Sequence, residues 1–186
     1  MKIELTLALC LFTLFNGFAQ LKEGQNFCDQ TEDGSYFPLV LKEKKIFWGD
    51  TRYVEKKIGT KILNGKTYFE FLQTWEDGTT SNLYLREEEG AVYQYEKCCK
   101  EETIRYDGNF EEGHTWKTAD GNGQYTILTY EGTLRTPFCE YKDLMVIEAE
   151  LKNGTFKFYY YKGHGYVGAT VNDTIISCVT PTFDLD

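Results

Sequence analysis

Several residue patterns that would assign an activity are missing from this sequence. It has two histidines among 186 residues, and its six cysteines include no CxxC or CxxH spacing, so no metal cluster is predicted. It contains no Gly-x-Ser-x-Gly, no His-Glu-x-x-His and no phosphate-binding glycine loop. The sequence therefore predicts no metal site, no cofactor and no catalytic residue.

Positive charge is also scarce. The formal net charge is −9, and the chain has no basic cluster, which argues against a nucleic-acid partner and against anionic membrane surfaces. An acidic surface is the ordinary solubility device of a secreted domain, and calcium binding by grouped carboxylates is the alternative. The run Glu87–Glu89 indicates a solvated turn, because consecutive residues seldom reach the separation of a glycosidase pair.

Long hydrophobic runs are limited to the N-terminus. Residues 1–19 combine Lys2, an apolar run and the small residues Gly17 and Ala19, as a secretory signal peptide does. The apolar run is shorter than the ~20 residues of a membrane span. We therefore expect an exported chain that begins at Gln20 after cleavage, has no transmembrane segment, and is periplasmic, cell-surface or secreted.

The mature chain lacks a helical period of any length. Instead, turn signals recur about every 8 to 12 residues between β-branched and aromatic runs. The fold class is therefore predicted as all-β, a single domain of roughly ten to twelve mostly antiparallel strands. A curled sheet, an open barrel and a sandwich all remain open. We assign residues 20–35 to an N-terminal lead-in, 36–180 to the all-β domain and 181–186 to a tail.

The clearest local signal lies between Asp143 and Lys162, where Asn153-Gly154 separates two alternating runs. Asn-Gly between alternating apolar residues is typical of a two-residue type I′ hairpin loop. That loop predicts the pairs Leu151 with Phe156, Ala149 with Phe158 and Ile147 with Tyr160. A one-residue slip would destroy the alternation, so the turn and the pattern support each other.

A second Asn-Gly turn is predicted at Asn64-Gly65, with Ile62 opposite Thr67 and Ile58 opposite Phe71. Further turns are expected at three acidic or amide positions: Asp77-Gly78, Glu87–Gly90 and Asn172-Asp173. Tyr36–Leu41 surrounds Pro38, which suits an edge strand or a strand start because proline cannot donate to a ladder.

The aromatic residues offer the most suggestive binding feature. Strand alternation places Tyr159 and Tyr161 on the face opposite Tyr160. The predicted register makes the face of Tyr159 and Tyr161 the wetter one. Two tyrosines there could stack on sugar rings or bury a lipid tail, since each offers apolar area with a polar tip. Alternatively, a second sheet covers them. We take both as speculative ligand-binding residues.

Five cysteines follow the predicted cleavage point, and an odd number leaves one thiol unpaired. Adjacent Cys98 and Cys99 on a strand would point to opposite faces, so we expect them not to bond each other. We expect two bridges, with Cys139 or Cys178 bonded to one of that pair. The candidates are Cys28, Cys98, Cys99, Cys139 and Cys178.

Four short segments resemble a pattern found in uncharacterised exported all-β proteins of Bacteroidetes. They are Tyr36–Leu39, Leu85–Glu87 with Gly90–Tyr93, Glu102–Asp107 with Gly113–Trp116, and Tyr159–Val167. The last is also similar to a turn of DUF3108-type open β-sheet proteins. Gly108 and His114 depart from the pattern, which usually has Phe and Asp there. The resemblance implies an envelope or secreted protein of no assigned activity, and it implies no catalytic residue.

These observations predict an exported, non-catalytic β-domain that binds an apolar or glycan-like ligand through its aromatic face. The partner would be a small molecule, a glycan or an envelope protein. One alternative is a secreted hydrolase that uses His114 or His164 with carboxylates within hydrogen-bond reach. A second alternative is a structural envelope protein without a ligand cavity.

Overall fold

The computed structural model describes residues 34–40 and 43–180, and every regular element within them is a β-strand. The strands are β1 (Glu43–Trp48), β2 (Thr51–Leu63), β3 (Lys66–Trp75), β4 (Thr80–Glu88), β5 (Ala91–Glu96), β6 (Glu101–Asp107), β7 (Thr115–Lys117), β8 (Gln124–Arg135), β9 (Glu140–Leu151), β10 (Gly154–Tyr161), β11 (Gly165–Val171) and β12 (Thr174–Val179). The all-β prediction is confirmed. The predicted signal peptide, most of the lead-in and the tail lie outside the described residues.

All twelve strands form one antiparallel sheet in the order β6-β5-β4-β3-β2-β1-β12-β11-β10-β9-β8-β7. The pairing of β1 with β12 places both ends of the strand series in the middle of the sheet. Each half of the chain is thus a meander, and the outer strands are β6 and β7. Two hydrogen bonds link these outer strands. Trp116 Nε1 of β7 donates to Ile104 O of β6 at 2.7 Å, and the amide of Ala119, just after β7, donates to Thr103 Oγ1 of β6 at 2.9 Å. The sheet is therefore nearly closed and barrel-like, and it is not a sandwich.

The turn at Asn64-Gly65 confirms the sequence prediction. Both residues have positive φ, 49° and 76°, as a type I′ turn requires, and Ile62 pairs with Thr67. The predicted pairing of Ile58 with Phe71 is wrong, because a register shift between Lys57 and Gly59 makes Lys57 the partner of Phe71. Ile58 is the extra residue of this bulge and is half exposed, at 50%.

The predicted register at Asn153-Gly154 is wrong by two residues. Leu151 pairs with Gly154 and Ala149 with Phe156, so the loop residues are Lys152 and Asn153. Of these positions only Gly154 has a positive φ, so the expected type I′ turn does not form there. A two-residue slip keeps every side chain on its face because strand alternation has period two. The face assignment is therefore correct although the pairs are not.

The sequence predicts an edge strand or a strand start at Tyr36–Leu41, but residues 34–40 form no strand and lie against the inner side of the sheet. The ring of Phe37 stacks on Tyr160 at 5.1 Å, and Leu39 is buried against Phe71 and Leu85. Lys57 Nζ donates to the Leu39 carbonyl at 2.9 Å. This segment contacts side chains of the sheet. It is therefore part of the core, although it is not a strand of the sheet.

The far end of the β8–β9 hairpin bends over the outer face of its neighbours. Three register shifts interrupt the β8–β9 pairing between Ile127 and Leu134, and such bulges bend a strand. Leu134 then comes so close to Gly168 of β11 that a Cβ there would lie 2.8 Å from Leu134 Cδ2. At the tip, the ring of Phe138 stacks on Phe47 of β1 at 6.0 Å. The hairpin end thus covers part of the outer face.

The cysteine expectation needs correction. Cys98 and Cys99 form a disulfide with each other, because they lie in the turn between β5 and β6 and not on a strand. The alternation that would point them apart does not apply in a turn. Cys139 is also disulfide-bonded, whereas Cys178 is a buried free thiol. Neither Cys139 nor Cys178 therefore bonds to the Cys98-Cys99 pair, and Cys28 lies outside the described residues.

Candidate functional site

The inner side of the sheet encloses a cavity of about 330 Å³ between the β1–β6 meander and strands β10 and β11. Strand alternation supplies its wall, since every second residue of each strand points inward. The apolar part of the wall includes side chains from three strands and the N-terminal segment: Phe37, Leu39, Phe71, Leu83, Leu85 and Phe158. The cavity is thus continuous with the hydrophobic core.

Charged and amide side chains also line this cavity. Lys44, Glu55 and Gln73 project into it from β1, β2 and β3, and Gln73 Nε2 donates to Glu55 Oε2 at 2.8 Å. Burial lowers the pKa of Lys44, and the Glu55 carboxylate offsets only part of that change. The Lys44 ammonium lies beside Gly165, where a Cβ would be 3.0 Å from Nζ. Gly165 therefore leaves room for the Lys44 head group.

Arg105 reaches the same cavity from β6. Val92 pairs with Tyr106 and Tyr93 with Ile104, so Arg105 is the extra residue of a β-bulge. Bulges often re-aim a side chain next to a functional site. The Arg105 guanidinium donates from Nη1 to Tyr125 Oη at 3.3 Å. The sequence reasoning missed both Lys44 and Arg105, because a lysine or arginine in a strand carries no signal for a bulge or for an interior position.

Tyr159 and Tyr161 do not form an open aromatic face. Their exposed fractions are 8% and 3%, and they pack with Leu134 and Tyr141 of the bent β8–β9 hairpin. The Tyr141 and Tyr161 rings meet edge to face at 5.3 Å. The expectation of a wetter face is therefore corrected, because the end of a hairpin of the same sheet covers these rings. Neither tyrosine lines the cavity.

The two histidines lie in loops, and each stacks on an aromatic ring. The His114 ring lies 3.8 Å from that of Phe110 in the loop before β7. The His164 ring lies 5.1 Å from that of Tyr161 in the turn after β10. Neither histidine lines the cavity. Within residues 34–40 and 43–180, no group of three or more His, Cys, Asp and Glu side chains is arranged to hold a metal ion.

A second charged cluster lies on the opposite, outer face of the β3–β6 strands. Arg86 donates to both Glu102 oxygens, from Nε to Oε1 and from Nη2 to Oε2 at 2.9 Å, and its Nη1 donates to Glu88 Oε2 at 2.7 Å. Lys66 Nζ and Tyr68 Oη each donate to Glu102 at 2.6 Å. We call Arg86, Glu102, Lys66 and Tyr68 the outer ion cluster.

The outer ion cluster is tightly coupled. Hydrogen bonds from Arg86 are the main reason that the pKa of Glu102 falls to about 2, despite its partial burial. Burial, with the hydrogen bond to Glu102, raises the pKa of Tyr68 to about 12. The guanidinium of Arg86 also lies 4.3 Å from the centre of the Tyr93 ring. Every charge in the cluster thus has a partner of opposite sign.

Comparisons with known proteins give the chain no family. No family model matches it, and no curated protein matches it. One solved structure, a predicted exported protein with a YmcC-like fold from Bacteroides fragilis NCTC 9343, aligns with a TM-score of 0.42 and 12% identity, covering 80% of this chain and 97% of that one. A predicted lipoprotein from Parabacteroides distasonis ATCC 8503 aligns with a TM-score of 0.41 and 11% identity, covering 81% and 98%. These likenesses are too weak to assign a family or a function, and the motif resemblance stays a prediction.

Helices that could span a membrane are absent from the part of the chain that the structure describes. None of these residues forms a helix that is long and apolar enough to cross a bilayer.

Proposed function

We propose that this protein is an exported, non-catalytic β-domain that binds a small apolar or amphiphilic molecule in its interior cavity. The observation that carries the proposal is the cavity itself, about 330 Å³ in volume and walled by aromatic and aliphatic side chains. Small-molecule sites usually occupy ~300–1,000 Å³ and are mostly apolar with a few polar groups. A cavity at the small end of that range suits a short-chain ligand.

The site differs from the one that the sequence suggested. Tyr159 and Tyr161 are buried under the β8–β9 hairpin, whereas the inward-facing Phe158 and Tyr160 on the same strand line the cavity. We therefore propose that the ligand site lies on the other face of β10, which is the inner face. An aromatic wall is retained, so the apolar ligand class is retained with it.

Export is supported by residues 1–19, whose composition is that of a signal peptide. A hydrolase would need a histidine with a carboxylate within hydrogen-bond reach at a substrate pocket. His114 and His164 stack on aromatic rings away from the cavity wall, so no observation favours that alternative. A purely structural envelope protein would need no such cavity.

The proposal is tested with the mature chain and N-phenyl-1-naphthylamine, a neutral apolar dye that fluoresces when it leaves water. We expect saturable binding with energy transfer from Trp48, which lines the cavity. Leu83→Trp fills cavity space and should weaken dye binding at least tenfold. The control Ile62→Trp places the same residue at a position that is 72% exposed on the adjoining hairpin, and it should change nothing.

Unfolding must be separated from blocking, so melting temperatures of both variants are measured beside the binding curves. A cavity site would be contradicted if the Leu83→Trp variant remains folded and binds the dye as tightly as the unsubstituted protein. Absence of saturable dye binding to the unsubstituted protein would contradict it as well, and would favour the structural alternative.

A further inference from the structure

We propose that the ligand of the interior cavity carries an anionic head group, a carboxylate or a phosphate, which Lys44 and Arg105 bind. This inference rests on the proposed function and names the ligand class of the same site. Its basis is that two cationic side chains and an apolar wall line one cavity.

Neither cation has a carboxylate at ion-pair distance. Across residues 34–40 and 43–180, ion pairs within 4.0 Å join Arg52 with Glu76, Lys56 with Glu43, Lys66 and Arg86 with Glu102, Arg86 with Glu88, and Lys157 with Asp173. Lys44 and Arg105 take part in none of them. Burying a charge without a partner is costly, so a group of opposite charge in the cavity would be strongly favoured.

The carboxylates near the cavity are already engaged. Glu55 accepts the hydrogen bond from Gln73 at 2.8 Å. Glu43 also lines the cavity, but its Oε2 lies 3.6 Å from Lys56 Nζ on β2. Glu96, whose charge acts on Arg105, accepts a hydrogen bond from Gln94 at 3.0 Å. Since none of these carboxylates lies within ion-pair distance of Lys44 or Arg105, both cations keep donors for an anion in the cavity.

The Arg105 guanidinium is held in a way that leaves donors open. Its Nη1 donates to the Tyr125 hydroxyl at 3.3 Å. A guanidinium has five N–H donors, so further donors remain for an oxyanion. Planar two-pronged donation is the geometry that carboxylates and phosphates prefer. Lys44 would add a compact point charge.

The apolar wall decides between a free anion and an amphiphile. A site for inorganic phosphate or acetate alone would have no use for Phe71, Leu83 and Phe158 around the charges. A short alkyl or aryl chain would displace water from these side chains, and burial of apolar surface favours its binding. We therefore commit to an amphiphile with one anionic end.

Calorimetric titration of the mature chain with octanoate, octyl phosphate and octan-1-ol tests this inference. We expect both anionic probes to bind at least tenfold more tightly than octan-1-ol, which has the same chain without the charge. Lys44→Met and Arg105→Met should each weaken octanoate binding about tenfold and leave octan-1-ol binding unchanged. Lys44→Arg keeps the charge and should keep most of the affinity.

Lys45→Met is the matched control. Lys45 is the next residue of β1, so its side chain projects to the opposite face, where its Nζ lies 5.9 Å from the Phe47 ring. It changes net charge as Lys44→Met does and should leave both affinities unaltered. Equal loss of octanoate binding in both variants would mean that net charge and not the Lys44 position matters, and would overturn the inference.

The outcomes separate this inference from the proposed function. If octanoate and octan-1-ol bind equally and Leu83→Trp blocks both, the cavity binds ligands but the anionic head is wrong. If acetate binds as tightly as octanoate, the amphiphile is wrong. If the octyl probes and the naphthylamine dye all fail to bind, the proposed function falls and this inference falls with it.

Discussion

Two arginines of this sheet, on the strands β4 and β6 that flank β5, have opposite environments. Arg86 points to the outer face and is bonded to both oxygens of Glu102 and to Glu88. Arg105 points to the inner face and donates a hydrogen bond to the Tyr125 hydroxyl. Both are largely removed from solvent, yet only the first is neutralised by the protein itself.

The difference indicates what each cation does. A buried charge that is fully paired ties strands together, and removal of one partner destabilises the protein strongly. A cation that faces a cavity and has no ion-pair partner gains less from the protein to offset its loss of hydration. We therefore expect substitutions in the outer ion cluster to change stability, and substitutions of Lys44 and Arg105 to change ligand binding.

The largest expected effect is the loss of Glu102. Glu102→Gln removes the charge that Arg86, Lys66 and Tyr68 share, and the Glu102 side chain is only 18% exposed. We expect the free energy of unfolding to fall by about 3 kcal/mol, measured by urea denaturation at pH 7. The control Glu101→Gln alters an exposed neighbour and should change stability by less than about 0.5 kcal/mol. Equal effects of the two substitutions would contradict a structural role for the cluster.

Acid titration should reveal how much the outer ion cluster contributes to the free energy of unfolding. Hydrogen bonds from Arg86 lower the pKa of Glu102 from an ordinary 4.5 to about 2. Because the folded-state pKa is the lower one, this contribution is fully present above about pH 5 and is lost as pH falls toward 2. We expect unfolding free energies of the unsubstituted protein to fall by about 3 kcal/mol more than those of Glu102→Gln over that window. Parallel pH profiles would show that Glu102 titrates normally.

On the inner face we expect removal of a charged side chain not to lower the free energy of unfolding. Lys44→Met replaces a cation of lowered pKa with an apolar chain of similar length, next to an apolar wall. We expect the free energy of unfolding without ligand to stay level or to rise by about 1 kcal/mol at pH 7. Chemical denaturation beside Lys45→Met measures this. A loss comparable with that of Glu102→Gln would show that Lys44 stabilises the fold and would erase the contrast between the two faces.

Local residue chemistry predicted one of the two Asn-Gly turns correctly. Asn64-Gly65 has the positive φ angles of the predicted type I′ turn, whereas Asn153-Gly154 looks the same in sequence and has a register two residues away. Both registers give the same inward and outward faces, so alternation could not choose between them. The bulge residues Ile58 and Arg105 were missed for a different reason, because no residue type in the sequence marks a bulge.

Long-range packing was beyond the sequence. Alternation correctly put Tyr159 and Tyr160 on opposite faces, but it could not show that the β8–β9 hairpin bends over the Tyr159 side. Nor could it show that residues 34–40 cross the inner side without joining the sheet. The cavity wall depends on the second of these arrangements and on the barrel-like closure. Lys44 in a charged stretch of sequence therefore looked like a surface residue.

The smallest expected effect concerns the Cys98–Cys99 disulfide beside the outer ion cluster. The pair lies in the β5–β6 turn, where the Lys100 carbonyl accepts a hydrogen bond from Asn64 Nδ2 at 2.8 Å. A bond between adjacent residues closes almost no loop, so it restricts the unfolded chain little. We expect the double substitution Cys98→Ser, Cys99→Ser to lower the free energy of unfolding by at most about 1 kcal/mol. Denaturation under matched conditions measures this. Glu102 keeps Arg86, Lys66 and Tyr68 as partners in that variant, so a loss near 3 kcal/mol would mean that the turn and not the ion cluster holds β6 in place.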